Sequence, residues 1–158
     1  MNGKTPLLLV VNLHGSINSS APVRMALAEL KVERKFSATV VSDDESTLGM
    51  LKLCKNFVAW APVGSELLTA LLKKRGMVSA TRELDSAALK KMGYKKFEDL
   101  AKKMTKDGIR LSAIDGVKPF FRLAPPRGGF KKSLRKQYTE RGSLGSNPTL
   151  PEIVRRMV

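Results

Sequence analysis

A chain of 158 residues is long enough for one domain with its own core, and a hydrophobic fraction of 42% excludes global disorder. Its 29 Lys and Arg against 14 Asp and Glu give a formal net charge of +15 and a pI near 10.3. Such self-repulsion adds nothing to folding, so it points to a polyanionic partner, with nucleic acid favoured over a membrane.

The membrane reading fails on pattern: the sequence has neither an apolar run of roughly 18 residues nor a long basic amphipathic helix. Cys54 stands alone, which excludes a disulfide framework or zinc cluster and favours a reducing, cytoplasmic setting. The run LLLVV is short, is preceded only by Lys4, and continues into Asn12, Leu13 and His14. It is therefore not expected to be a signal peptide.

In chain order, Pro6 to Leu13 reads as a buried strand ended by His14-Gly15. Ser20 is an N-cap candidate for an amphipathic helix that tolerates Pro22 in its first turn and buries Val23, Ala26, Leu27 and Leu30. Phe36 to Val41 is a second strand. Ser46 or Thr47 caps a second helix that buries Leu48, Leu51 and the Leu53/Cys54 pair, with Asp43 to Glu45 near its positive end. Phe57 to Trp60 is a third strand, stopped by Pro62.

That order predicts an α/β (α+β) two-layer β-α-β-α-β core over residues 1–62, a small three-stranded sheet with two helices on one face. Residues 63–158 read as a mainly helical, basic extension. Ser65 to Arg75 forms a helix ending at Gly76, Asp85 caps a short helix reaching Met92, and Phe97 to Met104 marks another, ended by Asp107-Gly108. Ile109 to Pro119 is irregular, Gly142 to Asn147 is a Gly/Ser-rich loop, and a last short helix is capped by Thr149.

No catalytic constellation emerges. His14 is the only histidine, so a Ser-His-Asp, Cys-His or two-His metal site lacks its parts; it reads as a loop hydrogen-bonder or a contact to phosphate or base. Asp43-Asp44-Glu45 suits a helix N-terminus better than a metal, because adjacent carboxylates point apart. Neither a GxxxxGK[ST] nor a GxGxxG element is present. The expectation is no enzyme, no cofactor, no metal and no small-molecule substrate.

The cations of Lys73-Lys74-Arg75 and Lys102-Lys103 read as solvated helix faces. The stretch FRLAPPRGGFKKSLRK, Phe121 to Lys136, is different. Pro125-Pro126 fixes a corner, and Gly128-Gly129 allows positive φ and a close backbone approach. Arg122, Arg127, Lys131, Lys132, Arg135, Lys136 and Arg141 share this Pro/Gly-bounded segment with only Glu140 opposing them locally. Arginine forks suit phosphate oxygens, and the interspersed Phe130 and Tyr138 suit unstacked bases, so this segment is the expected RNA contact. Phe130 has two readings, a base stack or packing back onto its own domain.

FRLAPPRGGF at Phe121 to Phe130 resembles the signature of the archaeal and eukaryotic branch of the large-subunit ribosomal protein family L-thirty, whose eukaryotic members carry the number seven. DDESTLGMLKLCKNFVAWAPV, Asp43 to Val63, resembles the family's acidic turn, helix start and tryptophan-bearing third strand. LLKKRG at Leu71 to Gly76 and GSLGS at Gly142 to Ser146 agree in order, so the resemblance spans nearly the whole chain. Thr47 stands where an aromatic is usual, Ala61-Pro62 replaces a glycine-containing exit, and the loop at His14 to Ser20 carries fewer arginines.

The resemblance implies a core of ferredoxin-like character with the third strand beside the first, and a structural role in the large ribosomal subunit without catalysis. The partners implied are large-subunit ribosomal RNA near the 5S RNA region, and neighbouring ribosomal proteins. The residues carried over are Arg127, Gly128, Gly129, Phe130 and Lys131, with Gly142 and Gly145 in the later loop. Two rivals stand beside it: a free-standing nucleic-acid-binding regulator on the same fold, and an RNA-processing enzyme, which lacks its general base. The short stretch before the first strand, without a long basic arm, favours an archaeal source.

Overall fold

A strand that is apolar at every position needs cover on both faces, and LLLVV sets the architecture in that way. The computed structural model describes residues 6–158; Lys4 and the first five positions of the 1–62 segment lie outside the described residues. The central strand β1 (Leu7–Asn12) is buried along its whole length. It pairs antiparallel with β2 (Ser37–Ser42) and with β3 (Val58–Pro62), so the third strand lies beside the first as expected.

Alternate β1 side chains serve two cores. Leu8 and Val10 meet α1 (Ala21–Glu29) and α2 (Glu45–Leu53) through Val23, Ala26, Leu27, Leu51 and Cys54. Leu7, Leu9 and Val11 join α3 (Ser65–Arg75), α4 (Ser86–Lys91), α5 (Phe97–Asp107) and α6 (Leu150–Met157), through residues such as Leu68, Leu89, Met104 and Val154. The α/β class and the β-α-β-α-β order hold, but the helices after residue 62 cover the second face. The layers are three rather than two.

The sheet is also wider than the three strands expected. Strands β4 (Phe121–Arg122), β5 (Ser133–Gln137) and β6 (Gly142–Ser146) extend it to the order β4-β2-β1-β3-β6-β5. Gly142 to Asn147 reads as a loop by composition, yet Gly142 to Ser146 is a strand with its first four residues buried. Its glycines answer to close approach: a Cβ on Gly142 would lie 1.9 Å from the Lys136 carbonyl oxygen. Gly145, at φ +78°, would place one 2.2 Å from the Gln137 Oε1.

Several helix ends refine the sequence reading. Helix α3 matches its expected span residue for residue, and Asp85 caps α4 by accepting the Ala88 N–H at 2.7 Å. Helix α2 starts earlier than Ser46 or Thr47 would have it, with Asp44 as its N-cap, and Thr47 is buried inside it. Leu53, expected inside, is half exposed, while Cys54 takes the buried position after it. Each helical residue turns about 100° from the one before, and in α2 that step carries Leu53 off the face that Leu51 and Cys54 bury.

Candidate nucleic-acid interface

Strand directions gather the basic residues. β1 and β4 run towards one end of the sheet, and β2, β3, β5 and β6 start from it. The turns at that end therefore collect His14, Lys35, Lys55, the Arg127–Lys132 stretch and Arg141, with Arg122 one step inside, opposite Ser37. Sequence separation hides this meeting; the register creates it.

Each turn has a local cause. Asn12, buried at the end of β1, donates its Nδ2–H to the Val32 carbonyl at 2.7 Å and accepts the His14 and Gly15 N–H groups on Oδ1. That Asx-type turn exposes His14, whose ring packs T-shaped against Phe57 with 5.2 Å between centroids. Across the sheet, Gln137 donates to the Lys55 carbonyl at 2.8 Å and to Asn56 Oδ1 at 3.0 Å, fastening β5 to the turn before β3.

The Pro/Gly-bounded segment does not run free of the domain. Phe121 is fully buried, Leu123 and Pro126 are buried, and the Leu123 N–H donates to the Phe36 carbonyl at 2.9 Å. Phe130 is half-buried and stacks on Phe36, 6.0 Å between centroids at 20°. Of its two readings, packing onto its own domain is the one the structure adopts. Gly128 and Gly129 take φ of +80° and +73°, the left-handed turn that two glycines permit at little cost. Arg127, Gly128, Gly129, Lys131 and Lys132 are exposed around that turn, and Arg122, Arg135, Lys136 and Arg141 are exposed too. Gly142 and Gly145 are buried against the chain itself, which gives packing as their reason for being glycine.

Electrostatically the end of the sheet is left open. The ion pairs among the described residues are Arg82–Asp85 and Arg110–Asp44, neither of them in this group. Lys132 lies over the Tyr138 ring at 4.4 Å and Arg122 over the Phe120 ring at 5.8 Å, so aromatic faces hold cations in place without neutralising them. Sequence reasoning missed Arg34, Lys35 and Lys55. The signal was their position just before β2 and β3, two strands that start from the same end.

The opposite end is closed by its own charges. Asp44 accepts from the Ser42 hydroxyl at 2.6 Å and pairs with Arg110, whose Nε also donates to the Ser42 Oγ at 2.8 Å. The Ser42 hydrogen bond, followed by that of Arg110, holds the Asp44 carboxyl below its ordinary value against the opposing cost of partial burial. Burial alone pushes the Cys54 thiol up to about 11, as suits a core packer.

No protein-family model matches the chain. Whole-chain relatives do. A large ribosomal subunit protein uL30 of Cenarchaeum symbiosum is 37% identical over 150 residues, covering 95% of this chain and 97% of the relative. The uL30 of Nitrosopumilus maritimus is 36% identical over 151 residues, with 96% and 97% covered. That of Thermofilum pendens is 37% identical over 140 residues, with 88% and 90% covered. With identity above three in ten along nearly the whole length, the chain belongs to the uL30 family of large ribosomal subunit proteins.

Proposed function

We propose that this chain is a structural constituent of the large ribosomal subunit in the cytoplasm, and that it binds ribosomal RNA with the basic end of its sheet. It is not an enzyme. The observation that carries the RNA-binding reading is the gathering of exposed cations, none of them in an ion pair among the described residues, at the end of the sheet where six strands begin or end, from Arg122 to Arg141 with His14 at the same end. Arg127, Lys131, Lys132, Arg135 and Lys136 neutralise phosphates, and Gly128 and Gly129 let the backbone come close. In this division of labour residues 1–62 form the scaffold and residues 63–158 carry most of the contact. Placement near the 5S RNA, with neighbouring ribosomal proteins at its flanks, follows from the family resemblance.

The test is a salt titration with large-subunit ribosomal RNA, alongside sedimentation of native particles. If about six cations engage phosphates, affinity falls by roughly two to three decades over a fourfold rise in salt. Arg127→Ala weakens binding by about 1–3 kcal/mol if its guanidinium is desolvated against RNA. A salt slope near zero would end the electrostatic reading. A cellular pool that never sediments with large subunits would replace the ribosomal role with that of a free-standing regulator.

A further inference from the structure

We propose that Arg156, at the end of α6, is a positioning residue that sets the Arg127–Lys131 turn in its RNA-binding shape before RNA arrives. The inference deepens the RNA-binding reading above and rests on it for its functional half. Its structural half stands on contacts alone.

Helix α6 ends with carbonyls that have no partner within the helix, and the basic segment supplies the donors. The Ala124 N–H donates to the Met157 carbonyl and the Arg127 N–H to the Arg156 carbonyl, each at 3.2 Å. The Arg156 side chain then reaches back. Its Nη1 donates to the Arg127 carbonyl at 3.2 Å and to the Gly129 carbonyl at 3.0 Å. One guanidinium nitrogen thus bridges both ends of the glycine turn, and the Gly129 N–H closes the turn on the Pro126 carbonyl at 3.0 Å.

The far side of the turn is held by the Phe130–Phe36 stack. Phe36 is itself fixed: at φ +63°, unusual for an aromatic residue, it donates its N–H to the Asn12 carbonyl and accepts from Leu123. Two successive glycines would otherwise make this the most mobile stretch of the interface. Freezing it in the free protein removes an ordering cost from binding, so the cations of the turn meet phosphates already in place. Arg156 is half-buried, two of its donor directions are occupied by protein carbonyls, and its role is to hold other residues rather than to bind RNA itself.

The experiment uses the full chain as Arg156→Ala and Arg156→Lys. Amide hydrogen exchange of the free protein comes first, because it needs no RNA. Both variants are expected to speed exchange at Arg127 and Gly129 about tenfold while β1 and α3 stay protected. Lysine keeps the charge but not the planar pair of N–H bonds. With large-subunit ribosomal RNA, both variants are expected to lose about tenfold in affinity at an unchanged salt slope, and Arg127→Ala added to either is expected to cost less than it does alone.

Unchanged exchange at Arg127 and Gly129 in both variants would overturn the proposal whatever the RNA does. So would an Arg156→Lys protein that binds like the parent while Arg156→Ala lowers the salt slope by about one phosphate contact, roughly 0.7–0.9, since that pattern marks a direct contact. A parent protein that fails to bind the RNA at all, with the exchange effect intact, would remove the RNA-binding reading and leave the clamp.

Discussion

The two parts of this chain divide charge unequally. Residues 1–62 carry seven Lys and Arg against five Asp and Glu, whereas the remainder carries twenty-two against nine. The near-neutral part makes the three central strands and one helical layer; the basic part makes the other layer, both sheet edges and most of the exposed cations. A strongly charged segment folds at a cost in self-repulsion, and here it is laid over a core that does not share the cost. The basic part is nevertheless no appendage. Its Phe121, Leu144 and Val154 are as deeply buried as β1 itself.

That contrast can be broken most forcefully at Phe121, which anchors the basic segment in the core. Phe121→Ala is expected to destabilise the fold by about 3–5 kcal/mol in denaturant titration. If the basic part were only tethered to a self-sufficient scaffold, the same change would leave the unfolding midpoint where it was. Gly142→Ala tests the sheet extension: its methyl would press on the Lys136 carbonyl and force β5 and β6 apart. A loss of about 1–3 kcal/mol is expected, with faster exchange concentrated in residues 133–146. A neutral result would mean that the β5–β6 pairing yields to the added methyl at little cost.

The smallest effect sharpens the contrast from the opposite end of the sheet, where Asp44 of the near-neutral part meets Arg110 of the basic part. Both side chains are partly exposed, so Asp44→Asn is expected to cost only about 0.2–1 kcal/mol at neutral pH. The folded-state carboxyl titrates below its ordinary value of 3.8, so its contribution is present above that pH and disappears as pH falls through the lower folded value. Parent and variant curves should therefore converge in acid. Curves that stay parallel down to the acid transition would show that Asp44 acts through packing instead.

Much of this was legible in the residues. Periodicity and end signals suffice for α3, for the Asp85 cap of α4 and for the glycine stop of α5, because each is decided within a few neighbouring residues. Strands β5 and β6 were not legible. SLRKQ has no apolar alternation and GSLGS has the composition of a loop, and both are strands only because each supplies the other's partner beside β3. The same reason hid Arg34, Lys35 and Lys55, whose place at the same end of the sheet as Arg127 depends on strand direction. The cations of Arg122 to Arg141 could be read because they are contiguous. That Arg156 ties down their turn could not, since nothing local distinguishes it from Arg155.

Helix α6 has a consequence for the order of events as the protein is made. The strands and helices of residues 6–62 can pair as soon as they emerge, but Leu7, Leu9, Val11, Ala38, Val40, Ala59 and Ala61 then present one bare apolar face. That face is sealed only when Leu150, Val154 and Met157 arrive. Until then that apolar sheet face is incompletely covered, and exposed apolar surface in a partly folded chain invites wrong partners. Because the helix that completes the seal also carries Arg156, the contacts that fix the Arg127–Gly129 turn form only once that helix has arrived.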